Sequence, residues 1–166
     1  MSVSNTSSRS GKPEGKFLTF CLENEEYGIS ILKVREIIGL MPIRTMPQTP
    51  AFVKGVINLR GKVIPVIDLR LKFNMPEAEP SEKTSIIVAD VETSSRVFVH
   101  IGIVVDFVSE VINIKAEEIE PAPTFGSDLD TEYILGLAKI GKSVKILLDI
   151  DKILAFDGLA EFAPDK

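Results

Sequence analysis

The sequence predicts an all-β protein with short helices, built as two small barrel-like lobes of about five strands each. Short apolar runs alternate with turn-forming Gly, Pro, Asn and Asp, a pattern typical of antiparallel strands. The order of glycines, apolar runs and loops in the first half also recurs in the second. With 166 residues, 45% of them apolar, the chain can bury a core without disulfides or metal ions.

The first strands are expected after residue 15, because the Ser- and Gly-rich tail 1–15 has too few apolar side chains to offset the entropy of ordering it. Three apolar runs bounded by turn residues follow. Gly28 lies inside the second run, which indicates a bulge or a close approach of two backbones. The predicted strands are 17–22, 27–31 and 36–40.

Two strong strand signals come next, joined by the two-residue turn Arg60-Gly61. Tight hairpin turns favour glycine because they require positive φ. Pro65 donates no ladder hydrogen bond, so its strand is predicted either to bulge within a closed barrel or to lie at an edge left free for a partner. Asp68 can cap the helix that follows. The predicted elements are strands 53–59 and 62–67 and a helix over 68–73.

A polar stretch with two prolines, residues 74–84, is the best internal boundary. A second long loop covers 121–130, and a final helix lies near 149–156. The strands predicted in this half are 85–91, 96–105, 108–114, 134–140 and 144–148. We therefore expect one domain with two lobes that can exchange strands, followed by a short tail; the bounds are 16–157 for the domain, about 16–80 and 81–157 for the lobes, and 158–166 for the tail.

The internal repeat is the main reason to expect two related lobes. An offset of 74 positions aligns the first strands of each half, and an offset of 81 aligns the later hairpins. The difference corresponds to an insertion in the second long loop. The aligned pairs include Gly28 with Gly102, Glu36 with Glu110, Gly55 with Gly136 and Asp68 with Asp149.

Charge and composition exclude several classes of function. The formal net charge is -5, which disfavours nucleic acids and anionic membranes as partners. A single cysteine, Cys21, excludes an internal disulfide and a cysteine zinc site, and the single His100 excludes multi-histidine metal chemistry. No apolar run could span a membrane and no secretory signal is visible, so we expect a cytoplasmic protein without a cofactor.

No arrangement typical of catalysis stands out. His100 lies in an apolar strand, where a packed or edge histidine is far more common than a general base. The spacing of Asp128, Asp130 and Glu132 resembles part of a calcium loop but lacks its glycine and terminal glutamate, so a solvated loop is the better interpretation. We predict that the protein is not an enzyme.

Arg60 and Glu36 are the charged residues that best suit a binding surface. A charged turn residue is usually only solvated, yet arginine is favoured at interfaces for its rigid donor fork. Four valines and isoleucines occupy corresponding places in the two repeats and either belong to the core or line a groove between the lobes: Val34, Ile37, Val108 and Val111.

These segments together resemble the CheW-like domain family of chemotaxis coupling proteins. The most specific part is TPAFVKGVINLRGKVIPVIDLR, residues 49–70, preceded by EYGI and ILKVREI and followed by GIVVD, VSEV and PAP. The resemblance covers about residues 17–155. A longer hairpin near residues 92–96 departs from the family pattern.

The resemblance implies two SH3-like five-stranded β-barrels packed on each other and a non-enzymatic adaptor role. The implied partners are the regulatory, CheW-like domain of the histidine kinase CheA and the cytoplasmic hairpin tip of methyl-accepting chemoreceptors. It implies a cytoplasmic protein recruited to membrane receptor arrays, in which self-association is allowed, with neither nucleic-acid binding nor direct membrane insertion. By motif position it implies partner surfaces, undivided between kinase and receptor, at Val34, Glu36, Ile37, Gly55, Asn58, Arg60, Gly61, Val108 and Val111.

An alternative is a small β-barrel module that binds an oligonucleotide or a small ligand. Binding of single strands needs a basic stripe with stacking aromatic side chains. The chain has no Trp, two Tyr and a negative net charge, so this alternative ranks below the adaptor.

Overall fold

The structure is a computed structural model that describes residues 14–93, 96–121 and 133–155. Residues 1–13 of the predicted N-terminal tail, the predicted C-terminal tail, the acidic residues at 128–132 and most of the second long loop lie outside these ranges. The described residues form eleven strands and two short α-helices, with 3₁₀ turns at Ile31–Lys33 and Ala116–Glu118. The elements are β1 Gly15–Leu22, β2 Glu25–Ser30, β3 Val34–Gly39, β4 Val53–Leu59, β5 Lys62–Asp68, α1 Leu69–Lys72, β6 Ser85–Glu92, β7 Phe98–Val105, β8 Phe107–Ile114, β9 Ile119–Glu120, β10 Ile134–Ile140, β11 Ser143–Leu148 and α2 Ile150–Ile153.

The strands form two sheets, which confirms the predicted mostly β class. The six-stranded sheet has the order β8-β1-β2-β11-β10-β9, and the five-stranded sheet has the order β3-β6-β7-β5-β4. The sixth strand of the larger sheet is β9, which pairs with β10 through two residues only and has no counterpart among the predicted strands.

The repeat is also visible in the two parallel strand pairs. β5 runs parallel to β7 with Val66 opposite Gly102, and β11 runs parallel to β2 with Leu147 opposite Gly28. Val66 and Leu147 are 81 positions apart and Gly28 and Gly102 are 74 apart, which are the two offsets of the sequence repeat. The first hairpin of each half therefore lies in the sheet that the other half completes: β1 and β2 join β8 to β11, and β6 and β7 join β3 to β5.

One apolar core joins the two sheets. Its fully buried members include Phe20 and Leu22 from the six-stranded sheet and Ile67, Ile87 and Ile101 from the five-stranded sheet. Two smaller clusters cover the remaining faces of each sheet. Because burial of apolar surface is the main stabilising term in folding, the shared core makes the two sheets depend on each other.

Pro65 lies in an interior strand, not at an edge. Val56, opposite Pro65 in β4, directs both its N–H and its C=O to Arg44, at 2.9 Å each, so the Val56–Pro65 pair carries no hydrogen bond. On the other side, pairing with β7 begins only at Val66. The missing N–H of proline therefore costs no ladder hydrogen bond.

The two short helices begin in the same way. The N–H of Asp68 donates to the C=O of Phe52 at 2.9 Å, and the N–H of Asp149 donates to the C=O of Tyr133 at 2.8 Å. The Asp68 carboxylate accepts the N–H groups of Arg70 and Leu71, as predicted, and the Asp149 carboxylate accepts the N–H of Lys152. The ammonium of Lys72 lies 4.3 Å from the ring centre of Phe52 and 5.6 Å from that of Tyr133, so it contacts both repeats.

A partly buried ion pair fastens α1 to the junction of the two sheets. Arg70 donates to both carboxylate oxygens of Asp106, at 2.8 and 2.7 Å, and to Glu23 at 2.7 Å. Asp106 lies between β7 and β8, and Glu23 lies in the turn between β1 and β2. The Arg70 hydrogen bonds lower the pKa of the Asp106 carboxyl. The contact thus ties the five-stranded sheet to the six-stranded one.

Candidate partner-binding surface

An ion pair between Glu36 and Arg60 brings β3 together with the β4–β5 turn. The Arg60 side chain is 68% exposed and that of Glu36 is 33% exposed. An exposed pair of this kind contributes only about 0–1 kcal/mol to folding. The ion pair can therefore orient the Arg60 guanidinium toward a partner, and rearranging the pair would cost little folding free energy.

The turn itself has the conformation that the sequence predicts. Arg60 has φ 53° and Gly61 has φ 88°, so both central residues are left-handed, as in a type I′ turn. The amide side chain of Asn58 accepts the N–H of Gly61 at 2.8 Å. Asn58 thus stabilises the turn that presents Arg60.

A cross-strand cluster lies beside this pair and was not among the sequence-predicted binding residues. Arg35 Nη1 is 3.5 Å from Asp90 Oδ2, and His100 Nε2 is 3.1 Å from Asp90 Oδ1. The His100–Asp90 contact lacks hydrogen-bond geometry, and within the described residues Asp90 Oδ1 is a buried atom without a hydrogen-bond partner. A pocket of about 310 Å³ is bounded by Arg35, Glu36, Arg60 and Lys62 together with His100 and apolar neighbours.

Burial favours the neutral form of His100. Burial lowers its pKa below 6.5, and the nearby Arg35 and Lys62 lower it further, while Asp90 acts in the opposite direction. The sequence does not indicate that Asp90 is the neighbour of His100, because the two residues meet only through the pairing of β6 with β7. The surface near Arg60 therefore gains no positive charge from histidine at neutral pH.

Gly55 holds a second segment against the hairpin. A Cβ at this position would lie 2.0 Å from the carbonyl oxygen of Arg44, and φ is 146°. Only glycine allows the close bridge between Arg44 and Val56. Gly55 thus shapes the surface through backbone packing, whereas Gly61 acts through the turn.

The four apolar candidates lie on corresponding strands at the ends of the two sheets. β3 ends the five-stranded sheet and β8 ends the six-stranded sheet. Val34 and Val108 are partly buried and pack on the shared core, so for these two the core interpretation applies in part. Ile37 and Val111 are 44% and 48% exposed.

The structure thus groups the nine predicted residues into two sets, one on each sheet, and Val34 on β3 and Gly55 on β4 belong to the set on the five-stranded sheet. Glu36, Arg60 and the supporting Asn58 and Gly61 come together, with Ile37 on the same strand as Glu36. Val108 and Val111 lie on the other sheet. Among the residues that the structure describes, no group of three or more His, Cys, Asp or Glu side chains could hold a metal ion. The described helices are too short to cross a membrane.

Comparisons with known proteins agree with one another on the family. The family model for the CheW-like domain matches residues 16–157. The chain is 45% identical to the chemotaxis protein CheW of Klebsiella aerogenes, over 95% of this chain and 93% of the relative. It is 30% identical to protein FrzA of Myxococcus xanthus, over 86% of this chain and 87% of that protein. The crystal structure of the scaffolding protein TtCheW from Thermoanaerobacter tengcongensis superposes with a TM-score of 0.75 at 35% identity, covering 88% of this chain and 96% of that one.

Proposed function

The chain belongs to the CheW-like domain family and is a non-enzymatic chemotaxis scaffolding protein; from this we propose that it couples chemoreceptors to a histidine kinase of the CheA type. In this proposal it binds the cytoplasmic tip of a methyl-accepting receptor and the regulatory domain of the kinase at the same time. It acts at the cytoplasmic face of membrane receptor arrays, with residues 16–157 as the working unit.

The exposed Glu36–Arg60 pair is the observation that carries this proposal. A side chain fixed by a type I′ turn, an amide cap and an ion pair is pre-organised, so little conformational entropy is lost when a partner contacts it. Ile37 adds an exposed apolar side chain on the same strand. Arginine beside apolar anchors is a composition typical of interface centres.

Two partners can be held because the exposed anchors are on different sheets. Ile37 lies on β3 of the five-stranded sheet and Val111 lies on β8 of the six-stranded sheet. The shared core keeps these sheets in a fixed relation. A stable contact at each would bury ~800 Å² per partner.

A three-component reconstitution tests the proposal. Receptor-containing membranes, CheA and this protein are mixed, and kinase activity and co-sedimentation are measured. We expect kinase activation only when all three are present. Arg60→Ala should weaken co-sedimentation and activation while leaving the thermal transition nearly unchanged.

Lys139→Ala is the matched control. Lys139 also forms an exposed ion pair, with Glu120 at 2.9 Å, but lies on β10 of the six-stranded sheet. It should leave assembly intact. Full activation by the Arg60 variant, or a large drop in its melting temperature, would contradict the role assigned to Arg60.

A further inference from the structure

A pocket of about 290 Å³ lies beneath the segment that follows α1, and none of the nine predicted partner residues lines it. Its volume is near the lower end of the range for small-molecule sites. Ala78 and Pro80 contribute to its lining from the polar 74–84 segment. The pocket is therefore a separate feature from the exposed surface around Arg60.

A buried carboxylate occurs in its lining. The Asp68 side chain is 8% exposed. Its Oδ1 accepts the N–H groups of Arg70 and Leu71, at 2.9 and 3.4 Å. Among the described residues, Oδ2 accepts no hydrogen bond and has only the ammonium of Lys54 at 3.9 Å. Burial raises the pKa of this carboxyl, against the opposing effects of the Leu71 and Arg70 hydrogen bonds and the Lys54 charge.

The cations in the lining are already engaged elsewhere. Lys54 donates its hydrogen bond to Glu77 at 2.6 Å and lies 3.9 Å from Asp68 Oδ2. The Arg70 guanidinium is committed to Asp106 and Glu23. Glu79, also in the lining, forms no ion pair within the described ranges. The pocket therefore has a surplus of negative charge once these pairs are counted.

Apart from Thr84 and the Arg70-paired Asp106, the remaining walls are apolar. They are formed by Leu40, Met41, Ile43, Val104 and Val105. An apolar wall beside one under-paired carboxylate matches a ligand with a compact hydrocarbon body and a single positive head. An anion would meet Asp68 and Glu79, and a purely apolar ligand would leave the Asp68 oxygen desolvated without a partner.

We propose that this pocket binds a small organic cation, a primary ammonium that carries a compact apolar group, with the ammonium donating to Asp68 Oδ2. The ion pair and hydrogen bond would replace the distant contact with Lys54. The apolar group would lie against Leu40, Met41, Ile43 and Val104. The site is independent of the adaptor role, so either can fail without the other.

Cyclohexylamine and cyclohexanol test the charge requirement on the full chain, because they share a ring and differ in the head group. Binding is followed by ¹H–¹⁵N NMR titration at neutral pH. We expect saturable shifts of backbone amides around Ile43, Lys54 and Val104 with the amine. The alcohol should bind about tenfold more weakly, because it lacks the charge-assisted hydrogen bond.

Asp68→Asn separates the charge from the fold. Asparagine is as good a helix N-cap as aspartate, so α1 should persist. The variant should bind the amine no better than wild type binds the alcohol. Asp149→Asn changes the equivalent cap of α2, outside the pocket, and should leave amine binding unchanged.

Three results would overturn the proposal. One is equal affinity for amine and alcohol in the wild-type protein, which needs no variant to fold. Another is a lack of saturable shifts at the pocket with the amine. The third is an equal loss of amine binding in the Asp68 and Asp149 variants.

Discussion

At the scale of single residues, two glycines of the partner-binding surface serve different purposes. A Cβ on Gly55 would lie 2.0 Å from the Arg44 carbonyl oxygen, whereas a Cβ on Gly61 has no atom within 4 Å. Both positions have positive φ. Substitution of Gly55 must therefore move backbone, while substitution of Gly61 strains only the turn.

We expect Gly55→Ala to lower the free energy of unfolding by about 3 kcal/mol, from backbone strain together with the clash. Gly61→Ala should cost about 1–2 kcal/mol, the ordinary penalty of a left-handed alanine. Urea denaturation measures both. Equal losses would show that the close approach of Arg44 to Gly55 does not constrain the fold.

His100 gives a prediction on pH. Its pKa in the folded protein is lowered by burial and by Arg35 and Lys62, so an NMR titration should give a value below 6.5. The unfolded chain binds the proton more tightly than the folded protein does. The free energy of unfolding should therefore fall as pH decreases from about 6.5 through the lowered pKa of His100.

Two neighbours should move the His100 pKa in opposite directions. Arg35→Gln removes a positive charge and should raise it, and Asp90→Asn removes a negative charge and should lower it further. A wild-type pKa at or above 6.5 would mean that the cluster is open to solvent.

At the scale of elements, each short helix connects the two sheets through an ion pair. The helix residue of the pair is positive in the first half and negative in the second. Arg70 in α1 pairs with Asp106, next to β8, and Asp151 in α2 pairs with Lys33 at 2.6 Å, next to β3. Arg70 and Asp151 are separated by the repeat offset of 81. Each half thus uses the second residue after its aspartate cap to hold the sheet of the other half.

Arg70→Gln should lower the free energy of unfolding by about 2–3 kcal/mol, because hydrogen bonds to a charged, mostly buried group are lost. The Arg70 side chain is 14% exposed and that of Asp106 is 27% exposed. Lys139→Gln, which removes an exposed pair, should cost less than about 1 kcal/mol.

The Arg70 loss should depend on pH. The pKa of Asp106 is lowered from 3.8, chiefly by Arg70, so the stabilisation is complete above that value and disappears as pH falls through the lowered pKa. Chemical denaturation at a series of pH values should show the wild type and Arg70→Gln converging in acid. A constant difference down to the lowest pH would place the effect outside the Arg70–Asp106 pair.

At the scale of the whole molecule, the exchange of hairpins makes the two halves interdependent. A chain cut at residue 80 leaves β1 and β2 without β8 and β11, and leaves β6 and β7 without β3 and β5. Strands with unpaired edges and half a core are not stable alone. We propose that the two lobes fold as one unit.

Circular dichroism on fragments 1–80 and 81–166 tests this. Each fragment alone should be largely unfolded, and an equimolar mixture should regain β-structure with one cooperative transition. The intact chain serves as the reference. Stable, cooperative folding of either fragment alone would show that one lobe does not need the other.

The local features could be predicted from the amino-acid sequence alone. The Arg60-Gly61 turn, the Asp68 cap, most strand positions and the duplication follow from contacts between near neighbours or from comparison of the two halves. These depend on φ preferences, capping and strand periodicity, which are encoded within a few residues. The family resemblance extended the prediction to the adaptor role, which the comparisons confirm.

Which strands share a sheet could not be predicted and depends on the folded chain. The interior position of Pro65, the Glu36–Arg60 pair and the partly compensated Asp68 depend on residues brought together from distant parts of the chain. Either arrangement of the hairpins, retained or exchanged, satisfies the same local patterns. The choice depends on the burial and pairing of side chains across the two sheets, and those are properties of the assembled core.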